Sequence, residues 1–326
     1  MPVSSTTVRV AGLTDVGLER TKNDDSFIIE DLNAAADDER SCGTFTCLRD
    51  GVLLAVADGL GGHADGDIAS RAASRELARA MREEHGRTAD RVRRGVEQAH
   101  QAVRELAKGR EGAQRMGTTL TALHIDGRRA HIGHVGDSRI YLARGGVLAL
   151  LTSDQTTTEA MIAAGLMDDA ERESSPWAHQ LTQVVGQAQK RLTVAASTLE
   201  LRQGDRFVLC SDGLTNAVGE DEILRALGDH VTLEAACRWL VDLGNLRGGD
   251  DNITVVLAEV QGDDLPTACA HEAIASTHHL IQTYDGTARV RALLSPWRFE
   301  PAAVQSASPS RRSVNGIHPE PHGCRS

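Results

Sequence analysis

GVLLAVAD at residues 51–58 and DRFVLCSD at residues 205–212 each end an apolar run with an aspartate. A short run of apolar residues without polar alternation is typical of a strand that is covered on both faces. The aspartate that follows then lies where the strand leaves the core and meets solvent. We therefore expect Asp58 and Asp212 to lie at strand ends that border a functional site.

Further runs rich in Val, Ile and Leu predict many short strands joined mostly by short turns. The predicted strands cover residues 26–30, 52–57, 118–125, 130–135, 140–143, 206–210 and 253–260. Apolar residues spaced three and four apart predict helices at residues 67–84, 88–108, 157–164, 220–227 and 233–243. Because most strands follow one another directly and the two long helices come together, this order favours an α+β layered sandwich over a doubly wound parallel sheet.

The composition excludes several classes of partner. The 326 residues include 46 acidic and 35 basic side chains, which gives a formal net charge of −11. Because nucleic-acid affinity depends on Lys and Arg neutralising phosphates, we expect no nucleic-acid partner. The chain has no basic start followed by a long apolar run and no 18 consecutive uncharged apolar residues, so we expect neither export nor membrane insertion. No CxxC pair occurs among the six cysteines, which fits reduced thiols in a cytoplasm.

Five segments combine aspartate with glycine or with a second acid. They are TDVGLERTKNDD (14–25), VADGLGGHADGDIAS (56–70), MGTT with VGDSR (116–119 and 135–139), LCSDGLTN (209–216) and GGDDNITVV (248–256). Taken alone, an Asp-Gly pair is best explained as a turn. Taken together, Asp58 and Asp212 end strands while Asp251 precedes one, so the three carboxylates can converge at one sheet edge.

Converging carboxylates repel one another unless a cation separates them. Oxygen ligands without a neighbouring Cys or His cluster select a hard cation, Mg²⁺ or Mn²⁺, over zinc. A pair of such ions is suited to phosphoester hydrolysis. The glycine cluster GLGGH (59–63) lacks the Lys and Ser/Thr of a P-loop, so we do not expect it to bind a nucleotide.

In this order, the segments resemble the signature of the PPM family, the protein phosphatase 2C type, in its bacterial form. The family pattern TDxGxxRxxNxD, DGxGG, GTT, GDSR, SDG and DN[IM]T is met nearly in full between residues 9 and 260. The resemblance implies an αββα sandwich, in which two central antiparallel β-sheets are flanked by helices. It divides the chain into an N-terminal leader (1–8), a phosphatase domain (9–262) and a C-terminal tail (263–326), whose end is rich in Pro, Ser and Arg and is expected to be largely flexible.

The resemblance assigns metal-binding and catalytic roles to particular residues. It implies that Asp58 bridges two Mn²⁺ or Mg²⁺ ions and that Gly59 contributes its backbone carbonyl. Asp212 and Asp251 are implied to hold the first ion. Asp58, Asp212 and Asp251 are therefore the implied catalytic residues.

Other carboxylates are implied to serve further ions. Asp24 and Asp25 would hold the second ion directly or through water. Asp24 stands where Glu or Gln is more usual, and its shorter side chain favours a water-mediated contact and weaker binding. Asp137, in GDSR, resembles the ligand of a weaker third ion that is shared with Asp212.

Three more residues match positions with supporting roles. Arg20 stands where the family places the guanidinium that grips the substrate phosphate, a role suited to its planar donor fork, and the rival reading is an ordinary surface arginine. Asn252 resembles the residue that orients this corner of the site. Thr118 either helps to position a nearby aspartate or water or has a purely structural role.

The implied activity is hydrolysis of phosphoserine and phosphothreonine in proteins by a water or hydroxide that bridges two metal ions, with no phosphoenzyme intermediate. The implied partners are phosphoproteins and, by analogy, a bacterial serine/threonine kinase with its substrates, and we expect a monomer. One alternative is a catalytically silent module of the same fold that binds a phosphoprotein or a kinase. Another is a phosphatase for phosphorylated anti-sigma antagonist proteins.

The sequence also departs from the family pattern. Leu60 replaces the histidine that eukaryotic members carry as a proposed general acid, and His63 is a candidate for that role by proximity alone, its rival being a loop histidine without chemistry. Gln155 replaces a histidine at the start of residues 151–186, which resemble the mobile flap that governs substrate access. Other histidines are expected to be strand or sheet-surface residues rather than metal ligands: His124, His131 and His134.

Overall fold

The computed structural model describes residues 6–34, 40–48, 50–60, 65–84, 89–110, 115–172, 174–187, 192–269 and 272–281. The strands are β1 (Thr7–Asp15), β2 (Asp25–Asp31), β3 (Cys42–Thr46), β4 (Val52–Asp58), β5 (Leu120–Asp126), β6 (Arg129–Val135), β7 (Arg139–Arg144), β8 (Val147–Leu150), β9 (Ala195–Glu200), β10 (Arg206–Cys210), β11 (Ile253–Gln261) and β12 (His278–Ile281). The α-helices are α1 (Gly66–Glu83), α2 (Ala89–Ala107), α3 (Thr157–Ala163), α4 (Asp212–Thr215), α5 (Glu220–Asp229) and α6 (Leu233–Leu246). The chain divides into two units, Met1–Gly286 and Thr287–Ser326, and the described residues all belong to the first.

The strands form two antiparallel sheets of six strands each. Sheet A has the order β3-β1-β11-β10-β7-β8, and sheet B has the order β12-β9-β6-β5-β4-β2. One apolar cluster joins residues of both sheets, a second joins sheet B to α1 and α2, and a third joins sheet A to α5 and α6. The layers are therefore helix, sheet, sheet, helix, and the predicted αββα sandwich is confirmed.

Strand β4 explains why its sequence is apolar throughout. The residues that pack between the two sheets are Val52, Leu54 and Val56. The residues that pack under α1 and α2 are Leu53, Ala55 and Ala57. Because both faces are covered, the strand needs no polar alternation, and Asp58 is the first residue at which the core ends.

Five of the described strands were not predicted from the sequence: β1, β3, β8, β9 and β12. Strand β1 was missed because Arg9 and Gly12 interrupt its apolar pattern, yet it pairs with β11 over nine residue pairs. The charge of Arg9 is neutralised by its register partner Glu259, with 2.5 Å between Nη2 and Oε2. Val8 is fully buried, so the folded chain begins within the region predicted as a leader (1–8). The short strands β3, β8, β9 and β12 carry too little apolar periodicity to be recognised alone.

Residues 263–269 and 272–281, predicted as part of the tail, pack on the domain. Leu265 joins the cluster between the sheets, and β12 pairs antiparallel with β9. The buried guanidinium of Arg144 forms two hydrogen bonds with Asp205, and its Nη1 donates to Thr277 Oγ1 at 2.8 Å. The boundary predicted at residue 262 therefore falls inside folded structure, and residues 282–326 lie outside the described residues.

Two other expectations from the sequence concern membrane-spanning helices and disulfide bonds. Among the described helices, none is long and apolar enough to cross a membrane. The thiols of Cys42, Cys47, Cys210, Cys237 and Cys269 are unbridged, and Cys324 lies outside the described residues.

Candidate metal centre

Aspartates from both sheets meet at one end of the sandwich. Asp58 is the last residue of β4 and Asp25 is the first residue of β2, and the two are register partners. Asp212 begins α4 directly after β10, and Asp251 lies two residues before β11. Strands β10 and β11 pair in sheet A, and the charges of Asp25, Asp212 and Asp251 all act on Asp58, so the four side chains lie close together. The sequence predicted this convergence for Asp58, Asp212 and Asp251.

Asp25 is fixed by two hydroxyl groups. Its Oδ2 accepts hydrogen bonds from Ser211 Oγ at 2.8 Å and from Thr254 Oγ1 at 2.6 Å, while its Oδ1 is buried without a partner. Burial raises the pKa of Asp25 to about 7, although the two hydroxyl donors oppose the shift. The side chain is held in place with one oxygen left for another ligand.

Burial and neighbouring charges also disfavour the ionised form of two nearby carboxylates, Asp58 and Asp137. Burial raises the pKa of Asp58 well above its usual range, and the charges of Asp25 and Asp212 raise it further. Burial, with the charges of Asp212 and Asp154, raises the pKa of Asp137 to about 8. These carboxylates resist ionising together in the absence of a cation.

Asp212 lies beside a histidine that the sequence did not single out. Its Oδ2 is 3.8 Å from Nδ1 of His179, and Asn216 Nδ2 donates to the same oxygen at 3.4 Å. Although burial opposes the shift, the contacts with His179 and Asp58 lower the pKa of Asp212, and Asp212 in turn raises the pKa of His179. His179 belongs to residues 151–186, so the segment predicted as a flap reaches this centre.

Asn252 ties the β1–β2 loop to the start of β11. Its Nδ2 donates to the carbonyls of Val16 at 2.9 Å and Lys22 at 3.0 Å, and its Oδ1 accepts from Asp24 N at 2.8 Å. The carboxylate of Asp24 has Lys22 Nζ at 3.6 Å, and Lys22 also contacts Asp67. This loop holds Asp24 beside the centre, next to the ammonium group of Lys22.

Arg20 lies on the outer side of the centre. Its Nη2 donates to Asp251 Oδ2 at 2.9 Å and its Nε donates to the carbonyl of Asp250 at 3.3 Å. The side chain remains 41% exposed, so its other donors are available to a ligand. The second carboxylate oxygen of Asp251 accepts from the backbone N–H of Asn252 at 2.8 Å.

The GTT and GDSR segments support the end of β4. Thr118 Oγ1 donates to the carbonyl of Asp58 at 2.8 Å, and the Asp58 N–H donates to Thr119 Oγ1 at 2.9 Å. Thr119 Oγ1 also shares a hydrogen bond with Ser138 Oγ at 2.7 Å. A side chain at Gly59 would place its Cβ 2.3 Å from the carbonyl oxygen of Gly66, so only glycine fits there.

The residues present fit a site for hard cations. Three of the buried side-chain oxygens that lack a hydrogen-bond partner belong to aspartates of this centre, namely Asp24, Asp25 and Asp212, and of these Asp24 Oδ1 has Lys22 Nζ at 3.6 Å. Within the described ranges, no three His, Cys, Asp or Glu side chains converge as a complete chelate. Mg²⁺ gives up its water ligands reluctantly, so carboxylates that do not form a closed chelate can hold such an ion partly through water. The donor set is oxygen only, which excludes a preference for zinc.

Comparisons with known proteins agree with this geometry. The sequence profile of the family described as protein phosphatase 2C matches residues 33–240. Protein phosphatase PhpP of Streptococcus pneumoniae is 34% identical over 261 residues, which cover 79% of this chain and 99% of PhpP. The chain belongs to the protein phosphatase 2C family. It is therefore a protein phosphatase, and the predicted family is confirmed.

Relatives in this phosphatase family also match in structure. Serine/threonine protein phosphatase PstP of Mycobacterium tuberculosis is 36% identical over 257 residues, and the chain spans about half of PstP, 45% of its length. The catalytic domain of PstP, solved in complex with two manganese ions, matches with a TM-score of 0.64 and 32% identity over 78% of this chain and 99% of that domain.

Several residues at this phosphatase site escaped the sequence analysis. Ser211 and Thr254, which hold Asp25, stand inside the quoted SDG and DNIT segments, where their hydroxyls signalled a hydrogen-bonding role. His179 had no such signal, because its place depends on how the flap folds. The predicted general-acid candidate His63 lies outside the described residues. The three other histidines that the sequence singled out lie in strands, as expected: His124 in β5, and His131 and His134 in β6.

Proposed function

We propose that this phosphatase hydrolyses phosphoserine and phosphothreonine in proteins with two Mn²⁺ or Mg²⁺ ions. The observation that carries the proposal is a cluster of buried carboxylates: Asp24, Asp25 and Asp212 each have a buried oxygen without a hydrogen-bond partner. The charges of Asp25 and Asp212 both act on Asp58. The name of PstP as a serine/threonine phosphatase and the two manganese ions in its catalytic domain support the same chemistry.

The proposed ligands divide between the two ions. Asp58 would bind both ions, and Gly59 would contribute its backbone carbonyl. Asp212 and Asp251 would hold the first ion. Asp24 and Asp25 serve the second ion on the sheet B side. Asp137 serves a weaker third ion, together with Asp212. When bound, these cations supply positive charge that polarises the phosphoryl oxygens and lowers the pKa of water.

The protein's own groups orient the reaction. Arg20 binds phosphoryl oxygens with the guanidinium donors that Asp251 and the carbonyl of Asp250 do not use, and these two contacts fix the direction of the guanidinium. Ser211 and Thr254 keep Asp25 in one rotamer. Asn252 fixes the loop that carries Arg20 and Asp24, while Thr118 fixes the backbone of Asp58.

The setting of the reaction is also proposed. We infer that the partners are phosphoproteins modified by a bacterial serine/threonine kinase, that the enzyme is a cytoplasmic monomer, and that the functional phosphatase unit covers residues 6–281. A catalytically silent binding module would be expected to lack metal carboxylates. The four aspartates at the strand ends argue for the enzyme.

The direct test is phosphate release from a phosphothreonine peptide with Mn²⁺ and with a chelator. We expect Asp58→Asn and Asp212→Asn to lower kcat at least about a hundredfold with the fold intact by circular dichroism. Asp242→Asn, an exposed carboxylate on α6, is the matched control and should retain full activity. Activity that survives both the chelator and the two site variants would refute the assignment.

A further inference from the structure

We propose that Gln155 is a positioning residue that fixes the flap, residues 151–186, over the metal centre. The role rests on the proposed phosphatase reaction, but the contacts that carry it are independent of bound metal. The family pattern has a histidine at this position, and nothing in the sequence explains the exchange. The structure supplies an explanation.

The side chain of Gln155 bridges two separate segments. Its Oε1 accepts from the backbone N–H of Gly136 at 3.0 Å, and its Nε2 donates to the carbonyl of Thr193 at 3.2 Å. Gly136 is buried and immediately precedes Asp137. Thr193 lies after the flap, just before β9. One amide therefore joins the loop that carries Asp137 to the segment through which the chain leaves the flap.

The backbone of Gln155 joins the start of the flap to its end. Its N–H donates to the carbonyl of Gly136 at 2.7 Å, and its carbonyl accepts from Thr182 N at 2.7 Å and from Thr182 Oγ1 at 2.9 Å. The next residue, Thr156, forms an isolated bridge with Leu181. The segment that enters the flap, at Gln155, is thus hydrogen-bonded both to the segment that leaves it, at Thr182, and to Gly136.

This anchor sets the position of the flap over the metal centre. His179 is two residues from Leu181, and its Nδ1 lies 3.8 Å from Asp212 Oδ2. The preceding residue, Asp154, is held by bidentate hydrogen bonds from Arg139. Asp154 is held by Arg139 and Gln155 is bonded to Thr182. A shift at Gln155 therefore moves the end of the flap, and His179 with it.

The amide suits this task because it places an acceptor and a donor side by side. A neutral imidazole offers the same pair, one ring nitrogen accepting from Gly136 N and the other donating to the Thr193 carbonyl. Alanine offers neither and leaves the buried Gly136 N–H without its side-chain acceptor. Gln155→His should therefore restore what Gln155→Ala removes.

The test combines amide exchange with a comparison of two substrates. In Gln155→Ala we expect faster hydrogen exchange at Gly136 and across residues 156–182, measured without metal. In Mn²⁺ we expect KM for a phosphothreonine peptide, which must lie against the flap, to rise about tenfold while kcat for a small aryl phosphate stays within about twofold. Gln155→His should return both readouts to near the parent values. Gln98→Ala on α2, which removes a side-chain hydrogen bond to Glu84 at the end of α1, is the matched control.

The outcomes separate the two claims. Unchanged exchange at Gly136 and the flap in Gln155→Ala would overturn the anchoring role, whatever the activity. Equal losses for both substrates, or no rescue by Gln155→His, would show a merely structural contribution and overturn it too. A parent protein that hydrolyses neither substrate would instead refute the proposed function, while the exchange measurement would still decide whether Gln155 holds the flap.

Discussion

Asp25 and Asp58 are register partners in the adjacent antiparallel strands β2 and β4, so their side chains leave the sheet on the same face. Burial and the charge of Asp25 both raise the pKa of Asp58. Two carboxylates in this relationship destabilise the metal-free fold. The pairing of the two strands thus places these carboxylates where they repel each other, and a divalent cation bound between them relieves the repulsion.

Asp25→Asn should therefore stabilise the metal-free protein and weaken metal binding. The asparagine oxygen can still accept from Ser211 and Thr254, while one buried charge is removed. We expect a gain of about 1 kcal/mol in the free energy of unfolding in a chelator. Calorimetric titration with Mn²⁺ should show at least about a tenfold loss of affinity. A variant that is less stable than the parent without metal would contradict this account.

The raised pKa values predict that stability falls as pH rises in the absence of metal. In the unfolded chain the Asp carboxyl titrates near 3.8, whereas in the fold Asp25 titrates near 7 and Asp137 near 8. The native state therefore binds more protons, and stability is lost as pH rises through the folded pKa values. We expect a slope of about −1 kcal/mol per pH unit between pH 6.5 and 8 in a chelator. Mn²⁺ should abolish this slope and release protons on binding at pH 7, measured by titration in buffers of different ionisation enthalpy.

The sequence predicted the centre better than its surroundings. Asp58 and Asp212 could be placed because both follow apolar runs, and β4 is apolar throughout because sheets and helices cover both of its faces. Strand β1 could not be predicted, since its Arg9 is neutralised by Glu259, a partner 250 residues away. His179 reaches Asp212 only through the fold of the flap. A local sequence pattern can place a residue at the end of a strand. It cannot predict contacts between residues that are far apart in the chain.

Arg20→Ala should impair phosphate binding more than folding. Among the residues that the structure describes, its guanidinium donates to Asp251 Oδ2 and to the carbonyl of Asp250. Losing a charge-assisted contact to phosphate predicts a roughly ten- to hundredfold rise in KM. Arg20→Lys should recover part of this loss, because lysine keeps the charge without the planar fork. Steady-state kinetics on an aryl phosphate provides the measurement, and Arg225→Ala on the exposed face of α5 is the control.

Thr277→Val should destabilise the protein although residue 277 lies outside the predicted domain. Valine keeps the shape but leaves Arg144 Nη1, buried beside Asp205, without the Thr277 hydroxyl. We expect a loss of about 1–3 kcal/mol in urea unfolding. Ser276→Ala, at the exposed neighbouring position, should cost less than about 0.5 kcal/mol. A chain ended at residue 262 should lose more than Thr277→Val, because Leu265 and β12 are removed as well.

His124 predicts a second pH dependence, of opposite sign, at acidic pH. Burial lowers the pKa of this β5 histidine to about 4, although its Nε2 lies 2.7 Å from the carbonyl oxygen of Asp50. The unfolded histidine titrates near 6.5, so the unfolded state takes up the proton first and stability falls as pH drops from 6.5 towards 4. The shift predicts a contribution of roughly 3 kcal/mol over that window.

The variant His124→Leu isolates this contribution. It should be less stable than the parent at pH 8, because the Asp50 carbonyl loses its neighbour, yet it should lose less stability between pH 6.5 and 4. Comparing the two proteins cancels the carboxylates, whose titration both share. The measurement is urea unfolding at four or more pH values in a chelator. Parallel curves for parent and variant would mean that His124 does not set the acid limit, and the stacked neighbour His131 would be the next residue to replace.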